Sequence, residues 1–179
     1  LVSGKADGWV TSFMGGGEVE KLGGRVLSAD EELTLCEDPS GGLFGLMDPE
    51  ERFVAAGEPG VPVWYELVTT DQAAIDFYGE LFDWEIREED GYFLALEDGA
   101  PFLGMYVGEA ASWVSYFGVE DLEAACKAVE EHGGTVLVGP GEGAFGPMAG
   151  IADPNGAQCF IVEVEAPTFE EISEADSVL

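Results

Sequence analysis

Two stretches of the chain, "GWVTSFMGGGEVEKLGGRVL" at residues 8–27 and "SWVSYFGVEDLEAACKAVEEHGGTVL" at residues 112–137, open and close alike and differ in the middle. Trp9-Val10 matches Trp113-Val114, "GGRVL" matches "GGTVL", and further on "EDPSGG" at 37–42 matches "ADPNGA" at 152–157. Three matches in one order mark an internal repeat, which fixes the size of the folding unit before any element is assigned.

The complete copy shows what that unit is. "SWVSYFGV" has the aromatic and β-branched residues of a half-buried strand, and Glu120 and Asp121 then stand where a helix begins. In "LEAACKAVEEHGG", Leu122, Ala125, Cys126 and Val129 keep the spacing of one buried helical face, and Gly133 and Gly134 end it. "TVLVG", "GPMAGIAD" and "AQCFIVEVE" follow as three strands, the last after a Pro-Asn-Gly turn. The unit is βαβββ.

Residues 61–110 spell the same order in other words. "VPVWYELVT" is a strand, and "TDQAAIDFYGELFDW" is a helix with Asp71 near its start and Ala74, Phe77, Tyr78 and Leu81 on one face. "WEIREED", "GYFLALED" and "FLGMYVG" are three short strands. The first copy is shorter: six residues fewer separate Trp9 from Gly24 than Trp113 from Gly134, and five fewer separate Gly24 from Asp38 than Gly134 from Asp153. A helix shortened by more than one and a half turns would barely cover its sheet. Either those residues are deleted, or the sequence as it stands omits them. The second explains both gaps, and a chain that begins at Leu1, more simply.

The expected organisation is a partial domain at 1–50, a proline- and glycine-rich linker at 51–60, a complete domain of two units at 61–166, and an acidic tail at 167–179. The complete domain is expected to fold by itself. The class is α+β, with repeated βαβββ units forming curled mixed sheets around a cleft.

A net charge of −31 repels nucleic-acid phosphate and anionic lipid head groups, so partners of both kinds are disfavoured. The acids are scattered, which reads as a well-solvated surface rather than as polyanion mimicry aimed at a basic protein. Cys36, Cys126 and Cys159 form no CxxC pair, and reduced thiols in a cytoplasm are the expected setting. No stretch of about 18 apolar residues is present to cross a bilayer as a helix.

With "WYELVTTD", "AIDFYGELFDWEI" and "GIADPNGAQCFIVE" in place, the chain resembles the vicinal oxygen chelate superfamily, the group of glyoxalase I, the bleomycin resistance proteins and the extradiol dioxygenases. Two-domain actinobacterial glyoxalase-like proteins are the nearest in style. The resemblance covers residues 61–166 fully and residues 8–48 in part. It implies sheets curled around a shared cleft. Metal-dependent members place ligands there from the first and last strands of each unit. At those places this sequence has Trp64, Val114 and Phe160, with Val10 and Gly45 in the short copy. None of these side chains can coordinate an ion, so the resemblance implies a site with neither metal nor other cofactor.

Along the strands, Trp64, Glu66 and Val68 share one face, as do Val114, Tyr116 and Gly118, and by resemblance these face the cleft. Gln158 and Phe160 join them from the last strand, with either Met105 or Tyr106 from "FLGMYVG". The expected ligand-binding set is therefore Trp64, Glu66, Val114, Tyr116, Gln158 and Phe160. It describes an aromatic cavity suited to a flat or hydrophobic small molecule. Glu66 is the one candidate acid or base: burial would favour its protonated form, while the plainer reading has it hydrogen-bonded at the cleft edge. His132, beside the Gly-Gly stop, suits the carboxyl end of a helix dipole. Three functions stay open. They are a metal-free protein binding a small hydrophobic or aromatic molecule; a lyase, isomerase or dioxygenase of the superfamily with an atypical metal site or Glu66 as acid or base; and an acidic module for a basic protein. Catalysis is undecided, and units of this type pair within one chain or in a homodimer.

Overall fold

A computed structural model of the chain describes residues 8–48 and 57–165. Most of the expected linker, the last residue of the expected complete domain and the whole acidic tail at 167–179 lie outside the described residues. Twelve strands are present among those described. β1 (Ser12–Met14), β2 (Arg25–Ala29), β3 (Thr34–Glu37) and β4 (Leu43–Met47) come from the first copy. β5 (Pro62–Thr69), helix α1 (Gln72–Phe82), β6 (Glu85–Glu89), β7 (Tyr92–Glu97) and β8 (Ala100–Val107) form the second. β9 (Ser112–Val119), helix α2 (Leu122–Glu131), β10 (Thr135–Gly143), β11 (Gly146–Ala152) and β12 (Gln158–Glu163) form the third.

All three copies have one topology. The strands run β1-β4-β3-β2, β5-β8-β7-β6 and β9-β12-β11-β10, so in each the first strand pairs with the last. That pairing is parallel in each copy, and the remaining pairs are antiparallel. This is the α+β class expected from the repeat. In the first copy a single 3-10 turn, Val19–Leu22, stands where the others have a helix.

Packing divides the described residues into two units, 8–48 with 64–115 and 57–63 with 116–165. In the first, α1 is capped by Asp71, whose side chain accepts from the Ala73 amide at 2.9 Å. Its buried side chains are Ala74, Ile75, Phe77, Tyr78 and Leu81, wider than a one-sided stripe. The reason is that α1 serves two sheets. Leu67, Ala95, Leu103 and Met105 from its own copy join Val19, Cys36 and Phe44 from the first copy in one core cluster. Phe44 meets Phe77 and Tyr78 edge-on, with ring centroids 5.8 and 5.2 Å away. The Gly17 amide donates to the Leu81 carbonyl at 2.8 Å, satisfying an acceptor that the end of α1 leaves open. The helix missing from the first copy is thus replaced by the helix of the second.

In the second unit α2 starts at Asp121, whose carboxylate accepts from the Ala124 amide at 2.8 Å. Leu122 and Cys126 pack with Ala149 and Ile161 in a separate, smaller core. Among the described residues no helix is long and apolar enough to cross a membrane.

Candidate functional site

β5 alternates as its sequence demands. Leu67 and Thr69 are fully buried towards the core, while Trp64, Glu66 and Val68 stand half-buried on the other face. Register then selects what joins them. Glu66 pairs with Gly104 and Val68 with Tyr106 across β5 and β8, and Tyr106 in turn faces Tyr92 across β7. Of the two alternatives on β8, Met105 lies in the core, fully buried, and Tyr106 shares the Glu66 face.

The result is a chain of hydrogen bonds within the first unit. The Trp64 indole N–H donates to the Tyr92 hydroxyl at 3.4 Å, and Tyr92 donates to Glu66 Oε1 at 2.6 Å. Tyr106 lies stacked beside Tyr92, with ring centroids 6.3 Å apart and planes 21° from parallel. Burial, and then the bond to Glu66, hold the Tyr92 hydroxyl well above its ordinary pKa, so it stays a proton donor at any physiological pH. Burial and the Glu66 charge raise Tyr106 as well. Gly104 is what makes room: a Cβ there would overlap the Tyr92 hydroxyl.

Tyr92 is the partner that the sequence does not name for Glu66. It lies 26 residues away, on a strand that reaches Glu66 only through β8. The one signal was Gly104, a glycine inside an otherwise bulky strand.

In the second unit Tyr116 and Phe160 occupy paired positions on β9 and β12. Their rings stack at 5.0 Å, and Phe145, from the glycine-rich β10–β11 turn, meets Tyr116 edge-on at 5.3 Å. Gln158 is exposed two residues before Phe160, on the same face of β12. Gly150 lies opposite Phe160, close enough that a Cβ would stand 3.2 Å from its ring. Val114, in the first unit, is half-buried on β9 beside the buried Trp113. The candidate residues thus fall into a polar-aromatic group, Trp64, Glu66 and Tyr92, and an aromatic stack, Tyr116, Phe160 and Phe145.

Neither group fits a divalent ion. The Trp64 nitrogen carries a hydrogen that it donates to Tyr92, Val114 and Phe160 are hydrocarbon, and the one carboxylate is hydrogen-bonded to a neutral phenol. Among the described residues no three His, Cys, Asp or Glu side chains are grouped to hold a metal. His132 lies at the end of α2, exposed, with Nδ1 2.8 Å from the Ala128 carbonyl oxygen. All three thiols are buried, and burial pushes each up, away from the reactive thiolate.

Comparison with known proteins agrees with this fold. DauV, an anthracycline biosynthesis protein of Streptomyces sp. (strain C5), is 34% identical over 124 residues, covering 55% of this chain and 45% of that one. The chain therefore spans about half the length of the curated relatives it matches. An extradiol ring-cleaving dioxygenase from B. fuscum superposes with a TM-score of 0.52 at 15% identity, over 82% of this chain and 50% of that one. The 2,3-dioxygenase LapB from Pseudomonas sp. KL28 does so with a TM-score of 0.51 at 16% identity, over 85% and 69%. At those identities the likeness is one of fold. Residues 63–159 match the family model itself, and the chain belongs to the Glyoxalase/Bleomycin resistance protein/Dioxygenase superfamily.

Proposed function

We propose that this protein is a metal-free member of the superfamily that binds a small hydrophobic or aromatic molecule. The observation that carries the reading is the Trp64–Tyr92–Glu66 chain, which joins aromatic surface to one oriented acceptor beside Trp64, the residue that by resemblance stands at a ligand position of metal-dependent members. Flat rings stacked on such side chains are worth about 0.5–1.5 kcal/mol per pair beyond the area they bury. Glu66 is held by Tyr92 and so offers a fixed acceptor to a hydroxyl or amine on the ligand. The stacked Tyr116 and Phe160, with Gln158 beside them, offer a second ring surface and an amide. The resemblance to an anthracycline biosynthesis protein supports a polycyclic aromatic ligand.

The short Tyr92–Glu66 hydrogen bond also favours a second reading, a lyase or isomerase in which Glu66 takes a proton from a carbon acid and Tyr92 steadies the carboxylate. Thermal unfolding across a panel of planar polycyclic and aliphatic compounds separates the readings. Binding predicts that polycyclic compounds raise Tm, that Tyr92→Phe and Trp64→Leu weaken the shift, and that the compounds are recovered unchanged. Turnover abolished by Glu66→Gln supports the second reading. No Tm response to any planar compound contradicts the first.

A further inference from the structure

We infer that the first unit carries a second binding site, for a small organic ammonium ion, in the depression beside the carboxyl end of α1. This cavity of about 570 Å³ is lined by Phe13, Phe82, Trp84 and Phe102 and rimmed by Asp83, Glu85, Glu97 and Asp98. Its size is that of a small-molecule site. It is built from β1, the end of α1 and the β7–β8 hairpin, and shares no lining residue with the Trp64–Tyr92–Glu66 group.

Three independent features select a cation. The rings form one ordered group: Trp84 stacks on Phe82 at 4.6 Å and 20°, and meets Phe102 and Phe13 nearly edge-on at 5.2 and 5.4 Å. Aromatic faces attract a cation, tryptophan most strongly. The end of α1 adds the negative pole of its dipole, and no basic residue in its last turn offsets it. Asp83 occupies the cap itself, in the left-handed conformation with φ of 57°, and adds a carboxylate to the lining at that end of the helix. Finally, four carboxylates and no lysine or arginine line the cavity.

Acidity alone would not single it out in a chain of net charge −31. The depression at Asp30, Glu31, Glu32 and Asp48, and the one at Glu120, Asp121, Glu123, Glu142 and Glu163, are also acid-rimmed, and neither has an aromatic residue in its lining. Of these three depressions, the cavity beside α1 combines carboxylates with rings, the pairing that holds an ammonium group whose own substituents are hydrocarbon.

The test titrates the full chain with benzyltrimethylammonium, by calorimetry and by tryptophan fluorescence, against its uncharged carbon isostere neopentylbenzene. Saturable binding of one cation per chain is expected, with the isostere at least about tenfold weaker. Trp84→Leu should weaken cation binding about tenfold. The exposed pair Glu97→Gln with Asp98→Asn should weaken it several-fold, and asparagine tolerates the left-handed backbone that Asp98 adopts. The control pair Glu88→Gln with Glu130→Gln removes the same charge from exposed positions elsewhere and should change nothing. If Trp84→Leu fails to fold, judged by circular dichroism, the rim pair against the control pair decides. Equal losses from rim and control pairs, equal binding of the isostere, or no saturable binding would each overturn the inference.

Discussion

The turns at residues 37–42 and 152–157 are copies of one another down to their hydrogen bonds. Asp38 accepts from the amides of Ser40 and Gly42 at 2.8 and 3.0 Å, and Asp153 from those of Asn155 and Ala157 at 2.7 and 2.9 Å. Around them the two copies part. Asp38 is only 4% exposed, and its second oxygen accepts from Tyr78 on α1 at 3.1 Å, while Tyr78 accepts from the Trp113 indole at 3.0 Å. Asp153 stays in contact with solvent. Burial therefore raises the pKa of Asp38 despite its hydrogen bonds, whereas those same bonds, led by the one from Ala157, lower that of Asp153. One local motif yields opposite electrostatics, because the first copy has a 3-10 turn in place of a helix and is covered by the helix of the second.

The largest effect should come from the residue that fills that space. Phe44 stands six positions after Asp38 and is fully buried; the matching position of the third copy holds Cys159. Phe44→Ala should cost about 3–5 kcal/mol in urea unfolding, and Cys159→Ala about 1 kcal/mol. Equal costs would show that α1 does not depend on the first copy.

Next in size, Asp38→Ala leaves two amides and the Tyr78 hydroxyl without their acceptor in the core and should cost about 3 kcal/mol. At Asp153 water replaces the lost carboxylate, so Asp153→Ala should cost measurably less in the same assay. A reversed order would break the comparison.

The smallest and sharpest test is pH. With its folded pKa raised, Asp38 binds more proton in the folded state, so its contribution to stability falls as pH rises from about 3.9, the unfolded value, through the folded one. Asp153, with its folded pKa lowered, contributes stability above about 3.9 that is lost as pH falls through its folded value. Stability of the parent minus that of each alanine variant, followed from pH 2 to 7, should slope in opposite directions.

Much of this architecture was legible from the residues. Asp71 and Asp121 announced both helices, and the repeat announced three units of one topology. The double duty of α1 was not, because the buried stripe of Ala74, Phe77, Tyr78 and Leu81 suffices for one sheet. Ile75, apolar and off that stripe, was the trace of the second burial surface. The face of Glu66 followed from strand alternation, but its bond to Tyr92 depends on the register of three strands, which no local pattern encodes.

We propose that this member of the superfamily works through rings and the Tyr92–Glu66 pair rather than through a metal ion. Elemental analysis of native protein purified without chelator, with Tm compared before and after EDTA, tests it most directly. No divalent ion in stoichiometric amount and an unchanged Tm are expected. One divalent ion per chain, lost with a fall in Tm on chelation, would contradict it.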